Sequence, residues 1–272
     1  MAIVRTDDKH YKAIADVIRN QPGYTDNYTP EQMPSIITSA MVDANAAGMI
    51  AGYDDGYVLG KQAQYDEFWE GYCNTINTAY TGGFGAFAGP SWNKENCKPT
   101  KDLKPRYTYL MFGYNGFIED LDEWAEECGI TIDFSKSQSF TYTFYSSGST
   151  LKSVGIINTQ NSTYLAQTFY GAAGLHTIKN LILKDDGSQT ITSIFNGCTS
   201  LANLTITGKI GQNGFDVKSC PITHESLMSI IEALFDHTTT GYARTVTLGS
   251  TNIAKLTDAE KAIATQKGWT LI

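Results

Sequence analysis

The 272-residue chain has few charged side chains and no long apolar run. Asp, Glu, Lys and Arg make up 18% of the residues, and the acidic side chains outnumber the basic ones by 28 to 20. This balance argues against a nucleic-acid partner, because affinity for nucleic acid comes mainly from Lys and Arg contacts to phosphates. No apolar run approaches the roughly 20 residues that a membrane-spanning helix needs. We therefore expect neither nucleic-acid binding nor a membrane span.

The cysteines and histidines lack the spacings that are typical of disulfide frameworks and zinc sites. The five cysteines are an odd number without a C-x-x-C pair, and the four histidines include no H-E-x-x-H. We therefore predict buried free thiols, no metal and no cofactor. The cysteines are Cys73, Cys97, Cys128, Cys198 and Cys220.

Sequence motifs of enzymes and of exported proteins are also missing. The chain has no G-x-S-x-G, and the glycine-rich segment 82–85 is followed by aromatic residues rather than by the Lys-Ser or Lys-Thr of a phosphate loop. The sequence therefore predicts no catalytic residues and no enzyme. The N-terminus has no apolar signal-peptide core, so we expect the protein to stay in the cytoplasm or to leave the cell by lysis.

Region 1–79 is predicted to be helical and to mediate oligomerisation or anchoring. Its longest helix is predicted from Pro34 to about Asn77, where small residues recur at every fourth position. Each of its glycines costs a helix about 1 kcal/mol relative to alanine, and close approach of a second helix offsets such a cost. The alternative is a flexible linker made of the same glycines. The small-residue stripe, our candidate oligomerisation surface, is Ala40, Ala44, Gly48, Gly52, Gly56 and Gly60.

From Tyr107 onward a short pattern recurs, in which Phe is followed by Leu or Ile and then by a strand-like piece. The strand-like pieces follow one another at steps of 23 to 27 residues, with one step of 42. Most of these steps lie in or near the range of leucine-rich repeats, whose units bury their apolar side chains only by stacking. The predicted core residues of the repeat are Phe112, Phe144, Phe169, Phe195, Leu175, Leu201 and Leu204.

These patterns predict an α+β protein in three parts. The helical region 1–79 contains the long Gly-striped helix, residues 80–106 form a Gly- and aromatic-rich connecting loop, and residues 107–272 form a leucine-rich-repeat-like solenoid with a short-strand parallel sheet. Thr223 is predicted to open an amphipathic helix, and a helix opened by Thr257 with Glu260, followed by a last strand, is predicted to cap the solenoid.

Threonines that alternate with apolar residues on the predicted sheet are the candidate exposed binding face. Such residues project away from the core, because side chains alternate along a strand. The alternative is an ordinary solvent-exposed face without a ligand. The residues are Thr205, Thr207, Thr245 and Thr247.

Two sets of segments resemble known families. Segment 195–206, FNGCTSLANLTI, closely resembles the BspA-like class of bacterial leucine-rich repeats, and segment 169–175 is a looser copy. This resemblance implies that Cys198 is a buried structural cysteine. Segments 14–19, 28–34, 56–69 and 87–92 are similar to proteins of phages and prophages of gut Gram-positive bacteria. That resemblance implies a virion or tail-associated component.

The leading hypothesis is a non-enzymatic phage structural protein, in the tail, in a fibre or elsewhere on the virion surface. It displays its repeat domain for contact with a protein or with a host receptor. Its expected partners are other virion proteins and further copies of itself, with a trimer expected by analogy with tail fibres. One alternative is a BspA-like adhesin or host-interaction module at the bacterial surface. Another is a glycan-processing enzyme on a fibre, which needs a carboxylate pair about 5–10 Å apart.

Overall fold

The computed structural model describes residues 66–79, 83, 85–89 and 92–272. They belong to one compact unit that spans Asp66–Ile272. The small-residue stripe lies outside the described residues, as does most of the predicted Gly-striped helix. Its six residues are Ala40, Ala44, Gly48, Gly52, Gly56 and Gly60.

Short helices and strands are connected by many turns in the described part of the chain. Helix α1 covers residues 66–78. The other helices are α2 (Leu121–Glu127), a 3-10 helix (Phe134–Lys136), α3 (His224–Ala233), α4 (Ser250–Ile253) and α5 (Asp258–Gln266). The strands are β1 (Ser153–Asn158), β2 (Thr177–Ile182), β3 (Asn203–Thr207), β4 (Arg244–Val246) and β5 (Trp269–Leu271).

The strands form two separate parallel sheets. In the first sheet the order is β1-β2-β3, with Ser153 opposite Thr177 and Thr177 opposite Asn203. The second sheet pairs only β4 with β5, and Arg244 lies opposite Trp269. The predicted leucine-rich-repeat-like solenoid with one short-strand parallel sheet is therefore wrong.

Helix α3 is the physical reason why the first sheet ends at β3. The hydroxyl oxygen of Ser226 accepts a hydrogen bond from the backbone N–H of Leu204 at 2.9 Å. The hydroxyl oxygen of Ser229 likewise accepts a hydrogen bond from the backbone N–H of Ile206 at 2.8 Å. Two side chains of a helix therefore take the place of the carbonyls of a further strand, and they satisfy the edge of the sheet.

The helix starts predicted at Thr223 and Thr257 are confirmed, whereas the start predicted at Pro34 lies outside the described residues. Thr223 caps α3, and its hydroxyl accepts from the backbone N–H of Ser226. Thr257 caps α5 in a capping box, in which the Glu260 carboxylate accepts from the backbone N–H of Thr257 at 2.8 Å. These caps satisfy backbone groups that a helix end leaves without partners.

A column of phenylalanine rings forms much of the core. Neighbouring rings have centroids 5.1 to 5.7 Å apart and lie nearly parallel. Each ring sits on one of five hydrogen-bonded turns, which we call the turn stack: residues 85–89, 109–114, 141–146, 166–171 and 192–197. The column consists of Phe87, Phe112, Phe144, Phe169 and Phe195. The seven core residues named from sequence are all buried.

The described part of segment 80–106 packs against the residues that follow it. Phe87 begins the phenylalanine column, and its ring also contacts Trp124 edge to face at 5.5 Å. Cys97 and Leu103 are buried as well. Backbone hydrogen bonds from Gly85 N–H to Tyr109 O and from Gly89 N–H to Gly113 O continue the turn stack into this segment. The three-part division of the chain at residues 79 and 106 stays a prediction.

Candidate binding surface

The turn stack holds bulky residues in a backbone conformation that L-amino acids rarely adopt. The described non-glycine residues with positive φ all lie in these turns, with φ between 52° and 60°. Each such residue costs on the order of 1 kcal/mol or more, so the surrounding contacts must hold it in place. The turn-to-turn hydrogen bonds supply these contacts, for example from Leu110 N–H to Thr141 O. The residues are Leu110, Tyr114, Tyr142, Ser146, Gln167 and Ser193.

Six tyrosine rings form a continuous chain of contacts along the outside of the turn stack. We call them the tyrosine strip. Tyr145 is its centre, since its ring contacts those of Tyr114 at 5.6 Å, Tyr142 at 5.2 Å and Tyr170 at 5.1 Å. Tyr142 also contacts Tyr109 edge to face at 5.2 Å. The members are Tyr107, Tyr109, Tyr114, Tyr142, Tyr145 and Tyr170.

The tyrosine strip is accessible to solvent. Tyr114 is 53% exposed, and the other five rings are half-buried. Within the part of the chain that the structure describes, the hydroxyls of Tyr114, Tyr142, Tyr145 and Tyr170 make no hydrogen bond. Each of these four rings therefore offers an apolar face beside a free polar group. Tyrosine is enriched at binding interfaces for this combination and for its low conformational entropy cost.

The residues with a strained backbone and the residues of the tyrosine strip overlap. Tyr114 and Tyr142 are both strip residues and both have positive φ. A bulky residue in this region is an outlier that the fold must hold in place, and such outliers concentrate at functional sites. The fixed backbone also gives the rings a fixed spacing, which lowers the entropy cost of binding a partner. The arrangement is suited to binding a partner.

The four threonines of the candidate exposed face lie on two different sheets. Thr205 and Thr207 belong to β3, and both are exposed. Thr245 is exposed on β4, whereas Thr247 follows that strand and is half-buried. Because β3 and β4 belong to separate sheets, these residues do not share one sheet face.

The cysteines are free, and burial suppresses their reactivity. Four are buried, and Cys128 is half-buried. Desolvation raises the pKa of all five thiols, to about 12 for Cys220. The thiolate is the nucleophile and the metal ligand, so these side chains are poor at either role near neutral pH.

The histidines placed by the structure have structural partners. The buried His237 ring lies 3.0 Å from Gly211 O and 3.1 Å from the Thr240 hydroxyl. His224 lies 3.0 Å from the carboxylate of Glu260, the residue that completes the cap of α5. Across residues 66–79, 83, 85–89 and 92–272, no group of three or more His, Cys, Asp or Glu side chains is placed to hold a metal.

The tyrosine strip is the feature that sequence reasoning missed. A signal was present, because Tyr145 and Tyr170 each follow a phenylalanine of the recurring pattern directly. Tyr114 follows Phe112 after one glycine. The recurrence of Tyr one or two residues after three of the inward Phe residues indicates an outward aromatic row once the Phe series is assigned to the core.

Comparison with known proteins assigns no family to the chain. No family model, no curated protein and no solved structure matches it. Among the helices that the structure describes, none has both the length and the apolar character needed to cross a membrane.

Proposed function

We propose that the protein is a non-enzymatic structural component of a phage particle, in the tail, in a fibre or elsewhere on the virion surface. Its domain 66–272 contacts another protein or a host receptor through the tyrosine strip. The observation that carries the contact role is the accessible row of fixed aromatic rings. The assignment to a phage particle rests on the resemblance of the N-terminal segments to phage and prophage proteins.

The states of the cysteine and histidine side chains, which are common in catalysis, support a binding role. Burial raises the pKa of all five thiols, which favours their protonated form near neutral pH, and the buried His237 ring lies within hydrogen-bond distance of two partners. A surface cavity of about 440 Å³ is lined by amides and cations, with no carboxylate pair among its lining residues. Glycoside hydrolysis commonly needs two carboxylates on either side of the scissile bond.

Self-association is the second part of the proposal. The small-residue stripe of region 1–79 holds copies of the chain together, as a trimer, and anchors them to other virion proteins. Light scattering of the full chain is expected to give three times the 29.8 kDa chain mass. The fragment 66–272, which carries its own core, is expected to run as a monomer. Equal numbers of chains in both samples would contradict the proposal.

The virion assignment is tested on particles from the strain that encodes the chain. We expect particles purified after prophage induction to contain the chain at a fixed ratio to the major capsid protein, measured by quantitative mass spectrometry. A cytoplasmic enzyme of the same strain serves as the control and is expected to be absent. A chain found at the cell surface and absent from particles would reject the proposal and favour the BspA-like adhesin.

The tyrosine strip is tested by Tyr114→Ser together with Tyr145→Ser in the same phage. Truncating a central aromatic residue of an interface costs about 2 kcal/mol or more, so we expect at least a tenfold effect. A receptor contact predicts slower adsorption to host cells with normal chain content in the particle. A contact within the virion predicts loss of the chain from the particle.

Tyr164→Ser is the matched control for this experiment. Tyr164 is 55% exposed and lies outside the tyrosine strip, so its replacement is expected to change neither readout. Circular dichroism and thermal unfolding of the purified double variant check that the domain still folds. A folded double variant with normal adsorption and normal incorporation would show that the strip is not a contact surface.

A further inference from the structure

One surface cavity concentrates positive charge on a protein whose formal net charge is −8. The cavity has a volume of about 440 Å³, within the usual range of small-molecule sites. Three cationic and three amide side chains line it, and no aromatic or aliphatic side chain does. The lining residues are Lys104, Arg106, Lys136, Asn77, Gln138 and Asn161.

The cations of this cavity have no direct ionic partner. In the described residues, Lys104, Arg106 and Lys136 form no ion pair. The two carboxylates near them, Asp102 and Asp133, are oriented by backbone groups: each Oδ1 accepts a backbone N–H at 2.8 Å, from Thr131 and Ser135 respectively. Three cationic side chains outnumber the two nearby carboxylates, so the cavity keeps a net positive charge.

The Asn77 side chain and the backbone of Gln138 hold the walls of the cavity in place. Asn77 at the end of α1 donates from Nδ2 to Asp102 O at 2.7 Å, and its Oδ1 accepts the backbone N–H of Lys104. The backbone N–H of Gln138 donates to the backbone carbonyl of Arg106 at 3.0 Å. The backbone segments that carry two of the cations are therefore fixed before any ligand arrives, and such preorganisation lowers the cost of binding.

We propose that this cavity binds a small hydroxylated anion, namely a saccharide that carries a carboxylate, sulfate or phosphate group. The cations bind the anionic group, and an Arg guanidinium pairs with a carboxylate or phosphate through two parallel hydrogen bonds. The Gln138 side-chain amide, together with the second hydrogens and lone pairs of the Asn77 and Asn161 amides, exchanges hydrogen bonds with sugar hydroxyls, since an amide both donates and accepts. This site is separate from the tyrosine strip and does not depend on the phage assignment.

Titration calorimetry on the full-length chain tests the proposal at low salt with four probes. Glucuronate and glucose 6-phosphate are the acidic saccharides, glucose is the neutral one, and inorganic phosphate is the anion without a sugar. Because the cations are exposed, we expect a Kd of about 1 mM for at least one acidic saccharide. Glucose and inorganic phosphate are expected to bind at least tenfold more weakly. The first two probes distinguish a carboxylate from a phosphate ligand.

Charge-removing variants locate the binding to the cavity. Arg106→Gln combined with Lys136→Gln is expected to weaken acidic-saccharide binding at least tenfold, whereas Lys94→Gln, an exposed lysine outside the cavity, leaves it unchanged. Both cationic side chains are exposed, so the double variant is expected to fold, which thermal unfolding checks. The proposal is overturned if neither acidic saccharide binds, if glucose or inorganic phosphate binds equally well, or if the folded double variant retains full affinity.

Discussion

Replacing Phe144 by alanine is expected to lower the free energy of unfolding by about 3–5 kcal/mol. Phe144 is the middle ring of the phenylalanine column and is 1% exposed. Its ring stacks on Phe112 at 5.3 Å and on Phe169 at 5.1 Å. Truncation removes the buried apolar surface and leaves a cavity that the hydrogen-bonded turns on both sides cannot close. Urea unfolding followed by tryptophan fluorescence measures the change.

Phe68→Ala is the control for this prediction, because it makes the same chemical change at a different depth. Phe68 is 52% exposed at α1, so its truncation is expected to cost under about 1 kcal/mol. Equal losses in the two variants would show that the phenylalanine column is not the centre of the core. A loss confined to Phe144→Ala would show that its cost follows from burial and stacking.

Replacing Asn252 by aspartate is expected to cost about 3 kcal/mol or more of stability, although the two side chains have the same shape. Asn252 is 1% exposed, and its Nδ2 lies within hydrogen-bond distance of the carbonyls of Val217, Cys220 and Leu248, at 3.2, 3.0 and 2.9 Å. Aspartate has no amide to donate, so buried carbonyls lose their partner and face a carboxylate oxygen. Each unsatisfied buried group costs about 1–3 kcal/mol.

Asn213→Asp is the matched control, because the amide oxygen of Asn213 accepts a hydrogen bond, whereas the amide nitrogen of Asn252 donates. The Oδ1 of the exposed Asn213 accepts the backbone N–H of Thr245 at 2.9 Å, and aspartate keeps this acceptor. We expect a change within about 0.5 kcal/mol, measured by the same urea unfolding at neutral pH. The Lys255 Nζ donates to the Asn252 Oδ1 at 3.0 Å, a contact that aspartate keeps as an ion pair. An Asn252→Asp variant as stable as Asn213→Asp would contradict the prediction and would mean that this ion pair offsets the lost amide bonds.

The parts of the fold that depend on neighbouring residues in the chain could be predicted from sequence. Thr223 and Thr257 begin helices as predicted, because a helix cap needs only a hydroxyl and the next three backbone amides. The last strand, Trp269–Leu271, was also predicted. These signals act within a few residues, so tertiary contacts do not override them.

The sheet arrangement could not be predicted, because it depends on which element covers each strand. A recurring Phe and Leu pattern indicates units that pack together, but it does not specify what pairs with the edge of β3. In the structure, Ser226 and Ser229 of α3 pair with that edge, so the first sheet ends there. Serine on a helix face carries no distinctive sequence signal for this role.

The tyrosine strip and the cationic cavity also depend on contacts between distant residues. Tyr109 and Tyr142 are far apart in the chain, and the turn stack brings their rings to 5.2 Å. Lys104 and Arg106 line one cavity with Lys136, and hydrogen bonds with Asn77 and with the backbone of Gln138 hold the first two in place. Composition indicates many tyrosines and few cations, but it does not indicate their grouping.

The covering of β3 by α3 has a consequence for copies held close together. A bare strand edge is a template for intermolecular β-pairing, which leads to aggregation. The hydroxyls of Ser226 and Ser229 already occupy two of its amide hydrogens, and the body of α3 blocks a second molecule from adding a strand there. At high local concentration this edge therefore resists pairing with a strand of a neighbouring copy.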